Sequence, residues 1–537
     1  MARATRSTRK STQASEAIEA IEEHSLLVVG LGPGRWEDLT VAAYAKLMAA
    51  ERVICRTLRH PTVDALRAAR PELQIESFDE LYDAASDFGG LYSQMADRLL
   101  DEVAVLPAGA RLVYATPGHP LIGEESVRLL LERARERRVA TRVIGGLSFL
   151  EPICAALGLN PLERDLQLLD ATLLASLPAE AVMGALTPTK PALIAQVYNR
   201  RLASGVKLAL SEVYPEEWEV TLVRWAGIPG EEEIRQAPLV ELDRDESADH
   251  LTSLYIPPLE PLRATRSPEG LRYIVMRLRA PDGCPWDREQ TAQSLRRYVL
   301  EEAYEVAEAI DELDGSVESA EKLADELGDL LLQVYLQAEV ANGEDQFHLG
   351  DVFQAINEKL IRRHPHVFGD VVVQNAEHVV RNWETIKRGE RAAKGEDVAR
   401  ESALRGIPRS APALYQAFEL SKKAARVGFD WPDTSGALDK IAEEAREVAE
   451  VLDASDAAGA RKAELGDLLF ALAVFARRLG INPEEALHAA NGRFRKRFEA
   501  MEAAATEDNR DLASLSLEDW LTLWAQAKLK TRAPQAE

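Results

Sequence analysis

The chain has 537 residues, enough for about two to four domains, and its 46% hydrophobic and 28% charged content is that of a soluble globular protein. A net charge of −25 excludes a dedicated nucleic-acid binder, whose phosphate contacts need a basic surface. Cys55, Cys154 and Cys284 are too few and too scattered for a disulfide framework or a zinc site, and no apolar run reaches the length of a membrane span, so the expectation is a reducing, cytoplasmic setting with no nucleic-acid or membrane partner.

Residues 1–24 are polar and lack an apolar signal core, so they read as a disordered tail. From 25 to 256, short β-branched runs alternate with helical patterns: "SLLVVGLGPG", "ERVICRT", "ARLVYATPGHP", "ATRVIGG", "KPALIAQV" and "VKLALSEV". That alternation predicts an α/β domain with those runs as strands. The first run opens into Gly30-Leu31-Gly32-Pro33-Gly34, a Gly-rich turn before a helix; it fails the dinucleotide fingerprint because Arg35 follows where a third spaced glycine belongs. Two more strand–turn–helix loops follow, "YATPGHPLIGE" (114–124) and "VIGGLSFLEPICAALGLN" (143–160). Three loops at strand ends predict one shared ligand crevice.

"YIPPLEPLRATRSPEG" (255–270) is Pro-rich and marks a linker over 257–270. Everything after it reads as helix. "GCPWDREQT" (283–291) predicts a turn into a helix with Asp287 as N-cap and Gln290 at N3, while Trp286 is a candidate for a substrate pocket. Glu301, Glu302, Glu305 and Glu308 fall within about a third of a helix circumference, and Val299, Ala303, Val306, Ala307 and Ile310 lie opposite. Taken alone, that is an amphipathic helix with a solvated acidic face.

A duplication changes the weighing. Glu301-Glu302-x-x-Glu305-x-x-Glu308 returns as Glu443-Glu444-x-x-Glu447-x-x-Glu450, "DELGDLLLQVYLQAE" (325–339) as "AELGDLLFALAVFAR" (463–477), "INEKLIRRHPHVFG" as "ANGRFRKRFEAM", and "NWETIKRGER" as "LWAQAKLKTR". Four blocks in one order make two domain-sized modules, 271–395 and 396–537. Each adds a second acidic pair, Glu326-x-x-Asp329 or Glu464-x-x-Asp467, stacked on one helix face among leucines. Four carboxylates converging from two helices need a divalent cation, and all-oxygen donors favour Mg²⁺ or Mn²⁺. Cations follow on later helices: Arg493, Lys496 and Arg497 near Asn491, then Lys528 beside Trp524; the first module offers Asn357, Lys359, Arg362, Arg363, Trp383 and Lys387. Together they predict a phosphate clamp with an aromatic side chain near a base. Arg493 and Arg497 share a face of an unbroken helix, whereas Pro365 ends the helix just after Arg362 and Arg363, so the second module is expected to be the working one.

The E-E-x-x-E and E-x-x-D sets, with "GCPWD", "ELGDLL" and "RRHPHVF", resemble the MazG nucleoside triphosphate pyrophosphohydrolases over about 270–530. The resemblance implies an all-α tandem region in a homodimer, Mg²⁺-dependent, converting NTP or dNTP to NMP and pyrophosphate. It implies metal ligands Glu302, Glu305, Glu326 and Asp329 in the first module and Glu444, Glu447, Glu464 and Asp467 in the second, the latter set catalytic. Asn491, Arg493, Arg497, Trp524 and Lys528 are the substrate-binding candidates. Residues 25–256 resemble the tetrapyrrole (corrin/porphyrin) methylases, two α/β lobes with S-adenosylmethionine between them, which implies cofactor contacts at Gly30, Gly32, Pro33, Gly34, Gly118 and Ser148. Two loops depart from that family: Pro117-Gly118-His119-Pro120 lacks its acidic residue, and Gly145-Gly146-Leu147-Ser148-Phe149 lacks its proline and second serine. The competing expectations are a narrower pyrophosphohydrolase, for dUTP or phosphoribosyl-ATP, and an acidic helical dimerisation scaffold without catalysis.

Overall fold

Strand β1, Leu26–Gly30, is apolar and buried at every position, which requires packing on both of its faces. Alternate residues serve two cores. Leu26 and Val28 join Ile54, Phe78, Leu99 and Tyr114, while Leu27 and Val29 join Leu47, Val53, Leu66 and Val113 on the opposite face. The computed structural model describes residues 26–84, 88–107, 109–244, 247–393, 402–452, 458–508 and 510–530; the tail expected over 1–24 lies outside them. Strands β2 (Arg52–Cys55), β3 (Gln74–Ser77), β4 (Leu112–Thr116) and β5 (Thr141–Ile144) complete a parallel sheet of order β3-β2-β4-β1-β5, with Val28 opposite Tyr114 on one side and Val143 on the other. Because β4, β1 and β5 are adjacent and parallel, the loops leaving their carboxyl ends lie side by side.

The second lobe is a mixed sheet of order β6-β7-β10-β8-β9, from β6 (Gln167–Asp170), β7 (Ala192–Ala195), β8 (Glu219–Arg224), β9 (Glu233–Pro238) and β10 (Thr252–Ile256). Only β6 and β7 pair in parallel. "VKLALSEV", expected as a strand, belongs to the helix Arg200–Ser211. Its period is the reason: Ala203, Val206, Ala209 and Leu210 are buried on one helical stripe, while Leu208, which strand alternation would place with Val206 and Leu210, is exposed. The Pro-rich stretch after β10 is anchored, with Leu259 and Ala264 fully buried in the second lobe's core and the Trp218 indole donating to the Pro257 carbonyl at 3.0 Å.

From Pro268 onward every regular element among the described residues is a helix. Asp287 does not cap a helix, as expected from the sequence. Cys284 is the N-cap and Pro285 starts a single turn, Pro285–Glu289, which ends at Gln290; the reciprocal capping box sits one step later, between Thr291 and Ser294, and opens Ala292–Asp311. Proline prefers the first helical position, and that preference moves the boundary. No helix among the described residues is long and apolar enough to cross a membrane. The chain forms two units, 1–355 and 356–537. The first holds both α/β lobes and the hairpin of Ala292–Asp311 against Val317–Gly343, whose core is Leu295, Tyr335, Leu336 and Val340. The first also holds Pro268–Arg279 and Pro285–Glu289; the second begins within Leu349–Arg363 and holds the later helices of the first module and all described helices of the second.

Candidate functional site

In each module two antiparallel helices bring three carboxylates together. Oxygens of Glu302, Glu305 and Glu326 lie within 4.8 Å of one another, and so do those of Glu444, Glu447 and Glu464. The cause is local: i, i+3 spacing stacks two glutamates on the first helix, and the hairpin places the third opposite them. Asp329 and Asp467, one turn further along, are exposed and stand outside both groups. The leucines beside them are not covered either: Leu327, Leu331, Leu465 and Leu469 are each about half exposed.

Electrostatically the two groups differ. Burial, then the hydrogen bond with Glu305 and the charges of Asp329, Glu305 and Glu301 hold the Glu302 carboxyl above the usual carboxylate range. No cation contacts that trio among the described residues; the nearby Lys322 ammonium pairs with Glu312 at 2.7 Å. In the second module Glu444 is 5% exposed. One of its oxygens takes the Lys440 ammonium at 2.8 Å, and Lys440 also reaches Glu443 at 2.9 Å. The other, Oε2, is buried with no hydrogen-bond partner. Glu447 is held above its ordinary value by burial and by Glu444 and Glu464, with Lys440 opposing. Lys440 was not among the sequence candidates, although its i, i+4 spacing to Glu444 on a helix was the available signal.

The expected clamp forms in part. Pro483–Glu507 is one unbroken helix packed on Leu517–Lys530. The Arg497 guanidinium lies 5.6 Å from the Trp524 ring centre and the Lys528 ammonium 5.9 Å, so two cations share one aromatic face system. Phe494, Phe498 and Trp520 continue the aromatic cluster, and Arg497 Nε is buried without a partner. Arg493 is exposed one turn earlier, and Asn491 lines a shallow groove with Phe494 and Phe498. Among the described residues no ion pair joins this set to the Glu444 group. Two of the first module's cations, in the second unit, are already paired: Arg362 and Arg363 both bond Glu390 at 2.7 Å, and those bonds pull the Glu390 carboxyl down to about 2. The position matching Glu390 in the second module is Thr531. Trp383 meets His364 edge-on instead of receiving a cation. Trp286 packs edge-on against Tyr298, whose ring also carries the Arg297 guanidinium at 4.5 Å.

In the α/β half the three loops do meet. Gly32 and Gly118 exchange backbone hydrogen bonds of 3.2 and 2.8 Å, and both have positive φ. A Cβ on Gly30 would sit 2.5 Å from the Gly118 carbonyl oxygen and 2.7 Å from the Gly146 nitrogen, so glycine here lets backbone touch backbone. Pro33 and Gly34 extend the first loop. Ser148 is buried, and its hydroxyl and N–H both donate to Glu151, at 2.6 and 2.7 Å, so its proton serves the start of Leu150–Leu157 rather than a ligand. His60 lies under the Gly32 loop, buried with no side-chain partner at either ring nitrogen, and burial lowers its pKa to about 4 against an opposing contact with the Gly32 backbone. Beside it the Arg56–Glu124 pair, at 2.6 Å, closes the floor of the lobe.

Comparison with known proteins agrees with both halves of this geometry. The family described as "MazG nucleotide pyrophosphohydrolase domain" matches residues 290–368 and again 434–501, and "Tetrapyrrole (Corrin/Porphyrin) Methylases" matches 25–243. The chain is 41% identical over 506 residues to "Uncharacterized protein YabN" of Bacillus subtilis (strain 168), covering 94% of this chain and 98% of that one. It is 43% identical over 262 residues to "Nucleoside triphosphate pyrophosphohydrolase" of Escherichia coli (strain K12), 48% of this chain and 96% of that protein. Against "Nucleoside triphosphate pyrophosphohydrolase/pyrophosphatase MazG" of Thermotoga maritima it is 40% identical over 260 residues, 48% of this chain and 95% of that protein.

Proposed function

Since the chain belongs to the MazG family, with two MazG modules joined to a tetrapyrrole methylase domain, we propose that it hydrolyses nucleoside triphosphates to monophosphate and pyrophosphate, using the second module. The observation that carries this reading is the Glu444–Glu447–Glu464 group with Glu444 Oε2 buried and unpartnered. An orphaned buried carboxylate oxygen costs about 1–3 kcal/mol, and an oxygen-seeking cation relieves it. The donor set fits Mg²⁺ or Mn²⁺, held by Glu444, Glu447 and Glu464 with Asp467 one turn on; Glu302, Glu305, Glu326 and Asp329 form the equivalent set in the first module. When bound, such an ion neutralises triphosphate charge and lowers the pKa of a water.

The chain's own groups do the rest. A carboxylate of the trio accepts the proton of the water that attacks the α-phosphorus, the α–β anhydride bond breaks, and pyrophosphate leaves. Arg493, Arg497 and Lys528 supply positive charge for the phosphates, Trp524 supplies a stacking face for the base, and Asn491 offers an amide at the edge of the groove. Arg493, Arg497 and Lys528 make no ion pair with a carboxylate among the described residues, whereas Glu390 holds two of the first module's candidates, Arg362 and Arg363; together with the buried Glu444 oxygen, this is why the second module is assigned the chemistry. A homodimer would cover the half-exposed Leu465, Leu469, Phe470 and Leu472, at ~1 kcal/mol for each side chain. In the N-terminal half, the Gly30–Gly34, Gly118 and Gly145–Ser148 loops are proposed to bind S-adenosylmethionine.

The test is a panel of NTPs and dNTPs, dUTP and phosphoribosyl-ATP included, with Mg²⁺, Mn²⁺ or EDTA. Monophosphate and pyrophosphate formed only with metal is the expected result. Turnover confined to dUTP or phosphoribosyl-ATP would make the enzyme a narrow one, orthophosphate as product would move the attack off the α-phosphorus, and no turnover with any substrate would leave the helices a scaffold.

A further inference from the structure

The two carboxylate groups have the same formal charge but different surroundings, and the one cation in direct contact with either belongs, among the described residues, to the second. Lys440 precedes Glu444 by one helical turn and holds its oxygen at 2.8 Å while also bonding Glu443 at 2.9 Å. The matching position in the first module, at the same 142-residue offset that relates Glu301 to Glu443, is Tyr298. Tyr298 has no charge, and its ring is occupied by Arg297 and Trp286. We propose that Lys440 is a built-in counter-cation that makes the modules unequal metal sites: without nucleotide the first module takes a free divalent ion, and the second takes one only weakly because its ammonium is already in place.

The reasoning is charge balance on a common scaffold. Both trios lie within 4.8 Å on equivalent helices, so the donor atoms and their spacing cancel in the comparison. Two differences remain: the second trio is the more buried, and it has one ammonium in contact with a ligand oxygen where the first has none among the described residues, Lys322 being bonded to Glu312 and acting on Glu326 only at longer range. Lys440 is a third exposed, so its field is screened to nearly that of water. An ammonium adjacent to a divalent ion in water-like dielectric still weakens binding by about tenfold. Glu444 Oε2 remains open to an ion, so the second site is weakened rather than abolished. Nucleotide phosphates give the ammonium an alternative anion, which would couple metal entry at the second module to substrate arrival.

This inference rests on the metal reading above, and the experiment separates the two. Free Mn²⁺ is followed by electron paramagnetic resonance during titration of the full chain without nucleotide, with NTP turnover in saturating Mg²⁺ measured in parallel. The expected isotherm has a tight and a weak class about tenfold apart. Glu302→Gln should remove the tight class and Glu444→Gln the weak one. Lys440→Gln should tighten the weak class about tenfold, Lys440→Arg should leave it weak, and Tyr298→Lys should weaken the tight class. Two equal classes in the unsubstituted protein, a tight class lost with Glu444→Gln, or an unchanged isotherm in Lys440→Gln would each overturn the proposal while turnover persisted. Absence of both Mn²⁺ binding and metal-dependent turnover would overturn the metal reading along with it.

Discussion

Replacing Glu444 by Gln separates catalysis from stability. The substitution keeps shape and hydrogen-bonding length but removes one charge from a trio packed within 4.8 Å. Relief of repulsion from Glu447 and Glu464 is worth ~1 kcal/mol for each pair even in a water-like dielectric. Against this stands the Lys440 pair, which with a partly exposed lysine contributes at most about 1 kcal/mol. The metal-free fold should therefore be as stable as the parent or more stable by about 1–2 kcal/mol. Turnover should fall on the order of a hundredfold or more, because a carboxylate that holds the metal is gone. Glu302→Gln relieves similar repulsion in the first module but should leave most of the turnover. Thermal melts in EDTA, beside initial rates of pyrophosphate release in saturating Mg²⁺, read both quantities. If Glu302→Gln proves the lethal change and Glu444→Gln is tolerated, the assignment of chemistry to the second module is wrong. If Glu444→Gln melts well below the parent, the claim that this oxygen is a functional cost of the fold is wrong.

Trp524→Ala and Lys528→Ala should each raise the KM for NTP about tenfold, whereas Arg362→Ala, whose partner Glu390 already consumes it, should leave KM within about twofold; steady-state kinetics decide, and equal effects would refute the clamp assignment. Gly32→Val should abolish S-adenosylhomocysteine binding measured by calorimetry, since φ is +72° there and a side chain meets the Asp38 carbonyl; no heat with the unsubstituted protein would refute the cofactor reading itself. His60 sets an acid limit on the first lobe. Its pKa falls from about 6.5 unfolded to about 4 folded, so the unfolded chain takes the proton first and stability is lost as pH drops through that window, by about 3 kcal/mol in total. His60→Leu should flatten stability between pH 6.5 and 4 in denaturant titrations, and an unchanged slope would show that the imidazole is not the sensor.

Much of this architecture was legible because it rests on periodicity and repetition. The buried run Leu26–Gly30 could only be a doubly covered strand, and four blocks in one order could only be a duplicated module. The helix Arg200–Ser211 was misread because Val206, Leu208 and Leu210 alternate like a strand, and only packing shows that Leu208 points outward. The start at Pro285 was missed because an aspartate and a glutamine at cap spacing outranked a proline at N1 in the reading. At the site, same-helix spacing put four carboxylates of each module near one another, and the structure brings oxygens of three of them within 4.8 Å. Asp329 and Asp467 are stacked by i, i+3 geometry yet remain outside the groups of mutually close oxygens.

What the sequence could not rank was the partner of each charge. Arg362 and Arg363 look as available as Arg493 and Arg497 until Glu390, about a helix away in sequence, is seen to hold both. The same holds in reverse for the carboxylates: the trios match residue for residue, and the second differs in its deeper burial and in the lysine that contacts Glu444. Duplicated modules can therefore keep every ligand and diverge through counter-charges alone. An acid placed on one clamp silences its cations, and a base placed on one carboxylate trio changes what that trio demands of a metal. In this chain the module whose Arg497 and Lys528 lie over Trp524 without an acid partner among the described residues is also the one whose carboxylates carry a counter-cation, and the coupling proposed above would link the two through the nucleotide phosphates. The first module, with Arg362 and Arg363 held by Glu390 and no cation in contact with its trio among the described residues, is the one proposed to take a free ion first.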